Sequence, residues 1–373
     1  MPSDSPVSLP AFWHWDAIEP GATTYNLAES CVLPPRLQDL PTPGQQPDDF
    51  ARCLGYGDPN GSWALRAAVA ALYTGARPED VLITAGATEA NFLALSALCG
   101  PDDRVIVAAP TYQPLHEVPR AQGARVDIWP LRAEDGWRPD LDELRYLVRQ
   151  PTKLVIINFP NNPTGATVDR DFLHATADLC HQNGALLYAD EVFRGLPLGG
   201  QIGQPSVWDV APGTCVLVGS LSKTYGLPGL RVGWLIAPEH VRGSARRIRD
   251  YTSICSSALS EAMAVQVLGA GEALLLAQSA HAQRNLEQVD AFLANEDGRL
   301  RWQPPREGAI GFVRYSAQLP SRCFARRLAE RWQTLVVPGA CFGQEPYFRL
   351  GFGGETTALL RGLHRLHAFV AAL

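Results

Sequence analysis

The segments TKLVIINFP (152–160) and GALLYADEV (184–192) flank the helical pattern DRDFLHATADLCHQNG (169–184). Each run is continuously apolar rather than alternating, as expected of a strand buried on both faces of a sheet. A helix between two such strands makes a parallel strand–helix–strand unit. The same alternation extends upstream. GSWALRAAVAALYTG (61–75) reads as a helix closed by glycine, DVLITAG (80–86) as a strand, and ATEANFLALSALCG (87–100) as an apolar helix stopping at Gly100. DRVIVAAP (103–110), a helix around QPLHEVPRAQG (113–123) and ARVDIWPL (124–131) come next. Downstream, CVLVGS (215–220) and RVGWLIAP (231–238) bring the apolar runs to seven. These define an α/β large domain, a mostly parallel seven-stranded sheet flanked by helices, over residues 45–270. Beyond it the texture changes to a long helix (272–298), strand-like AIGFVRYS (309–316), the helix SRCFARRLAERW (321–332), strand-like FRLGFG (348–353) and a terminal helix. A smaller α+β domain is therefore expected from residues 1–44 and 271–373, with the proline-rich LPPRLQDLPTPGQQP (33–47) crossing between the two.

Composition narrows the function. The 373 residues carry a net charge of −6 with no long basic run, which argues against nucleic acid or an anionic membrane as the main partner. None of the eight cysteines forms a C-x-x-C pair and the histidines show no metal-ligand spacing, so no metal centre or disulfide framework is expected. The first twenty residues lack the pattern of a secretory signal, and no apolar stretch approaches membrane-spanning length. A cytoplasmic setting is the expectation.

Ligands of parallel sheets sit at the carboxyl ends of the strands, where this chain concentrates its unusual residues. In ITAGATEAN (83–91), Gly86 turns a strand into a helix at Ala87 and Thr88, whose free N–H groups suit a phosphate; a plain turn with Thr88 as N-cap is the alternative. Tyr112 follows the next strand, placed either to lie against a flat ligand or, more commonly, to fill a core. The stiff loop NFPNNPTG (158–165) aims Asn161 and Asn162, or is simply an Asn-rich turn. Asp190 ends an apolar strand, where a carboxylate is costly without a cation; Glu191 beside it is expected to face solvent or the other domain. Arg231 and Arg349 sit in apolar company, as anion-gripping arginines do, although structural ion pairs look the same in sequence. In SLSKTYGLPGLRVGW (220–234), Lys223 is either a desolvated, nucleophilic amine or a solvated lysine at the lip of a loop. One ligand satisfies the set: a phosphate for the helix start, Ser220, Ser222 and Arg231, a flat ring for Tyr112, a basic ring nitrogen for Asp190, a phenolic oxygen for Asn162 and an aldehyde for Lys223. That ligand is pyridoxal 5′-phosphate.

From LGYGDPNGSWALRAAVA (54–70) to YFRLGFG (347–353), the chain resembles the fold-type I pyridoxal-phosphate enzymes of the class I/II aminotransferase superfamily. GATEA, PTY, NNPTG, ADEV and SLSK…GLPGLRVGW occur in that family's order. The resemblance implies an aspartate-aminotransferase-like fold in which Lys223 holds the cofactor as a Schiff base and later moves the substrate's Cα proton. Asp190 would keep the pyridine nitrogen protonated, Asn162 donate to the phenolic oxygen and Tyr112 stack on the ring. Gly86, Ala87, Thr88, Ser220 and Arg231 would hold the phosphate, with Ser222 assisting. Arg349, with Asn162 beside it, would take the substrate α-carboxylate, and Tyr56 would reach a neighbouring subunit's phosphate, which implies a homodimer with shared sites. The activity so implied is amino transfer between an L-amino acid and a 2-oxo acid. The alternative is elimination or cyclisation of an amino acid with a γ-leaving group, since SLSK with GLPGLRVG also resembles the lysine loop of 1-aminocyclopropane-1-carboxylate synthases. A ligand-sensing role without catalysis fits poorly with Lys223, Asp190 and Arg231 all in place.

Two departures stand out. YTSICSSALSE (251–261) lacks the arginine that aspartate-specific relatives use, so a dicarboxylate substrate is not supported. The segment YNLAESCVLPP (25–35) is expected to border the pocket and carries Glu29, Ser30 and Cys31; an acidic residue there would suit a cationic side chain, although a surface carboxylate is the commoner explanation. A third difference yields a test: Phe193 stands where the family's D-E-V-Y pattern has tyrosine, which removes one donor from the phenolic oxygen. The Phe193→Tyr variant is expected to lower the pKa of the Schiff base in a spectrophotometric titration, and an unchanged value would show that the donor is immaterial.

Overall fold

The computed structural model describes residues 25–36, 40, 55–199 and 203–373. The first twenty-four residues and all of the 33–47 stretch except 33–36 and Leu40, with its expected crossing, lie outside the described residues. In chain order the elements begin with β1 (Tyr25–Asn26), α1 (Trp63–Ala70), β2 (Val81–Thr84), α2 (Ala87–Leu98), β3 (Arg104–Ala109), α3 (Pro114–Ala121) and β4 (Arg125–Pro130). Then come α4 (Leu141–Leu147), β5 (Leu154–Asn158), α5 (Arg170–Gln182), β6 (Leu186–Asp190), β7 (Cys215–Ser220), β8 (Gly233–Ile236), α6 (Glu239–Arg249) and α7 (Ala258–Gly269). The last are α8 (Gly271–Ala294), β9 (Leu300–Trp302), β10 (Ile310–Tyr315), α9 (Ser321–Trp332), β11 (Thr334–Leu335), β12 (Val337–Pro338), β13 (Tyr347–Gly351) and α10 (Thr356–Ala371).

The seven apolar runs form one sheet in the order β2-β8-β7-β6-β5-β3-β4, with β8 alone antiparallel to its neighbours. Successive residues of each central strand face opposite layers. Ile106, Val155, Ile157, Leu187 and Leu217 enter one core cluster, while Val105, Val107, Leu154, Ile156, Tyr188 and Val216 enter another. Two cores sandwich the sheet, which is why these strands read as unbroken apolar runs. β4 is the exception: at the edge, its residues are mostly exposed or half-buried, and the sequence alternates accordingly. Helix α1 is shorter than the pattern in the sequence, running from a Ser62 cap to Ala70 before the chain turns at Gly75. The helices α4, α6 and α7 were not foreseen; α4 is short and largely polar, and α6 is strongly basic in its last turn.

A second, antiparallel sheet, β12-β13-β10-β9, is packed by α8, α9 and α10 around Phe324, Phe348, Leu350 and Leu366. Residues Leu27–Leu33 run as a strap between this sheet and the loop that carries Lys223. Gly351 N–H donates to Leu27 O at 2.7 Å, and Val32 N–H to Lys223 O at 3.3 Å. The fit is close enough that a Cβ on Gly351 would lie 1.7 Å from Glu29 O, and one on Gly353 2.6 Å from Cys31 O. A methyl group at 351 must push the strap away. Gly351→Ala is therefore expected to lower stability by about 1–3 kcal/mol, read as a lower denaturant midpoint at constant m-value. An unchanged midpoint would mean that the strap is not clamped.

Candidate active site

Strand register gathers the site. Gly233 at the start of β8 pairs with Thr84 at the end of β2 and with Ser220 at the end of β7, and Asp190 at the end of β6 pairs with Asn158 at the end of β5. These four carboxyl ends therefore open on one side of the sheet.

The phosphate cradle lies over β2, β8 and β7. Gly86 is the N-cap of α2 at φ +87°, a left-handed conformation natural to glycine, so the helix starts at Ala87 and Thr88 is not its cap. A Cβ on Gly86 would lie 2.4 Å from Arg231 Nη2. Arg231 is itself left-handed, at φ +52°, and its guanidinium donates to Ala85 O at 3.2 Å and Pro228 O at 3.0 Å. Contrary to the sequence expectation of apolar company, Arg231 is exposed, as a group meant to meet a charged ligand can be. Ser220 and Ser222 are buried, with Ser220 Oγ accepting from Ser222 N–H at 3.2 Å. The exposed Thr88 places its hydroxyl 3.4 Å from that of Tyr112, which ties the half-buried tyrosine to the cradle.

Asp190 is 1% exposed. Its carboxylate accepts from Asn91 Nδ2 at 2.7 Å and from Val192 N–H at 3.1 Å, and among the described residues it has no ion pair. Burial pushes its pKa up to about 6, opposed by these donors and by the charge on Lys223. Asn91 escaped the sequence reading. Its signal was an amide on the inner face of the apolar helix α2, where Tyr188 Oη holds its oxygen at 2.7 Å and so turns the NH₂ to Asp190. Glu191 reverses its expectation. It is buried, paired with Arg194 at 3.1 Å and bonded to Ser206 and the Val207 N–H, so it braces a loop rather than facing solvent or the second sheet. Asn161 is likewise a brace, donating to Pro110 O and Asn158 O and accepting from Thr164. Phe193 is buried against Gly308.

Lys223 Nζ is 2.8 Å from Ser30 Oγ and 3.5 Å from Cys31 Sγ, both carried by the strap. Neither neighbour is anionic, and burial pushes the Cys31 thiol up to about 11, so it stays neutral. Lys153, the chain's only other lysine, pairs with Asp103 at 3.3 Å at the opposite end of β5. Arg349 is buried, and burial brings its pKa down to about 10. Its Nη1 donates to Asn162 Oδ1 at 2.9 Å and its Nη2 to Ala28 O at 2.8 Å. With its oxygen engaged, Asn162 has its NH₂ left to donate. Tyr56, by contrast, is 86% exposed.

The residues fit pyridoxal 5′-phosphate. A cradle with no room for a side chain, capped by an arginine, suits the phosphate, and a buried carboxylate with amide donors but no cation suits a protonated ring nitrogen. Comparison with known proteins agrees. The family model for aminotransferase class I and II matches residues 37–366. Capreomycidine synthase from Streptomyces vinaceus is 38% identical over 308 residues, 81% of this chain and 77% of that protein. A PLP-dependent aminotransferase from Streptococcus suis superposes with a TM-score of 0.88 at 36% identity, covering 93% of each chain. The PLP-dependent cyclase OrfR superposes with a TM-score of 0.91 at 32% identity, covering 100% of this chain and 98% of that one. The chain belongs to the class I and II aminotransferase family, and it is a pyridoxal-phosphate-dependent enzyme.

Proposed function

We propose that the chain acts on an L-α-amino acid, taking its Cα proton with Lys223, and that the reaction ends in loss of a side-chain leaving group by elimination or ring closure. The observation that carries this reading is similarity to a synthase over four-fifths of the chain and to a cyclase over all of it. Phe193, in place of the family's tyrosine, is a further departure from the common aminotransferase pattern. Amino transfer to a 2-oxo acid is the second reading, favoured by the family model and the Streptococcus suis aminotransferase. Both share their first steps. Arg349 holds the α-carboxylate, with Asn162 fixed at its side, and Ser30 orients the amine of Lys223. When bound, the cofactor supplies a protonated ring that withdraws negative charge from Cα. Asp190 keeps that ring protonated, and Lys223 is a base already in reach of the proton. In this reading the enzyme is a cytoplasmic homodimer in which the exposed Tyr56 completes the neighbour's phosphate cradle.

The two readings part after proton removal. Mixed with its amino acid and no 2-oxo acid, the reconstituted enzyme is expected to turn over repeatedly and return to its starting absorbance. Stoichiometric accumulation of the amine form of the cofactor would establish amino transfer instead.

Asp190 makes a pH prediction. Its native pKa of about 6 exceeds the ordinary 3.8, so between these values the folded chain binds more protons than the unfolded one. Stability of the cofactor-free protein therefore falls as pH rises from about 4 to about 6, by an amount on the order of 3 kcal/mol from this group. A cationic ring nitrogen offsets the loss, so the rise in Tm on adding cofactor is expected to be larger at pH 7.5 than at pH 5. Asp190→Asn should flatten that dependence; a variant with the wild-type slope would place its origin elsewhere.

A further inference from the structure

Glu29 is exposed, as its sequence context favours, but its carboxylate is held in place rather than idle. One of its oxygens, Oε1, accepts from the N–H groups of Ser30 at 2.7 Å and Cys31 at 3.0 Å. The carboxylate also bonds the Cys31 thiol, whose sulfur is 3.5 Å from Lys223 Nζ. On its other side, the carbonyl of Ala28 is gripped by Arg349 Nη2 at 2.8 Å. Glu29 thus lies one thiol from the amine and one residue from the atom that anchors the α-carboxylate arginine. The strap cannot back away, because β13 meets it at Gly351 without room for a methyl group. Burial raises the pKa of Glu29, but Lys223 and the Ser30 and Cys31 donors outweigh that and hold it below the usual carboxylate range.

The other charges of the site each have a use. Arg231 and the start of α2 take the phosphate, Asp190 the ring nitrogen, Arg349 the α-carboxylate and Lys223 the aldehyde. Glu29 interacts electrostatically with Arg349 and Lys223. Once those two are engaged by substrate and cofactor, its ionised carboxylate repels the substrate's α-carboxylate unless the side chain brings a positive charge to meet it. The α-amino group cannot serve, since it is committed to the cofactor. We infer that Glu29 receives a cation, a guanidinium or an ammonium, carried on the substrate's side chain. Its Oε1 is fixed by the strap N–H groups, and a carboxylate's two oxygens have acceptor capacity beyond those bonds for an incoming donor. The inference rests on the reading that the enzyme acts on an L-α-amino acid, and it adds the substrate class.

The test is binding, read from the absorbance of the reconstituted enzyme. It is titrated with L-arginine, L-lysine, the neutral arginine isostere L-citrulline, and L-alanine. At least one cationic amino acid is expected to bind about tenfold tighter than L-citrulline, and the stronger of L-arginine and L-lysine identifies the head group. Glu29→Gln keeps an acceptor for the Ser30 and Cys31 N–H groups and is expected to shrink that advantage to within about twofold. Glu29→Ala should shrink it likewise. Equal affinities in the wild type, or a Gln variant retaining the full advantage, would overturn the inference. A response to L-alanine with no benefit from a cation sinks the role of Glu29 alone. No response to any amino acid sinks the reading of the enzyme's substrate, and this inference with it.

Discussion

A carboxylate with 1% exposure at the end of a central strand, held by amide donors and, among the described residues, paired with no cation, is an expensive object for a protein to build. Most of the architecture around β6 makes sense as its support. Asn91 on α2 supplies the short bond to Asp190, Tyr188 fixes that amide from the strand itself, and Asn158 lies beside it in register on β5. Removing any one donor leaves a charge more poorly solvated than before, so these residues act as a unit. The arrangement is poised for a positively charged heterocycle, and it couples cofactor binding to the stability of the sheet.

The second constraint is mechanical. Lys223, on the loop after β7, and Arg349, on β13, belong to different parts of the fold, and the proposed function has them address the two sides of one small substrate. The strap joins them: its Ala28 carbonyl bonds Arg349, its Ser30 hydroxyl meets Lys223, and its Val32 N–H is tied to the lysine's own backbone. Asn162, on the rigid loop after β5, closes the circle by accepting from Arg349. Arg349, Lys223 and Asn162 are thus positioned by a short stretch of chain at Leu27–Leu33 and by glycines that let backbones touch.

The central sheet was legible because strands covered on both faces print unbroken apolar runs, and ligands gather where those runs end. Lys223, Asp190, Asn162 and Arg349 stood out this way, since each is a costly residue type in an apolar or stiff setting. What escaped depended on three-dimensional proximity. Asn91 is an ordinary amide until Asp190 lies against it, and although Ser30 was expected at the pocket border, its bond to an amine 193 positions later was not. Glu191 shows the opposite error: a carboxylate beside the ligand-facing Asp190 was expected to face solvent or the other domain, but it is buried in a brace with Arg194 that only the folded chain brings to it. Short polar helices such as α4 were missed because their stability comes from a cap at Asp140 and from packing rather than from a periodic stripe.

The central claim is that one amine, that of Lys223, forms the covalent bond on which the chemistry depends. Borohydride reduction of the cofactor-loaded protein, followed by proteolysis and mass mapping, tests it directly, because the chain offers only Lys153 as another lysine. The account predicts a single reduced adduct on Lys223. An adduct on Lys153 or on any other amine, or no adduct in protein that has taken up the cofactor, would contradict it.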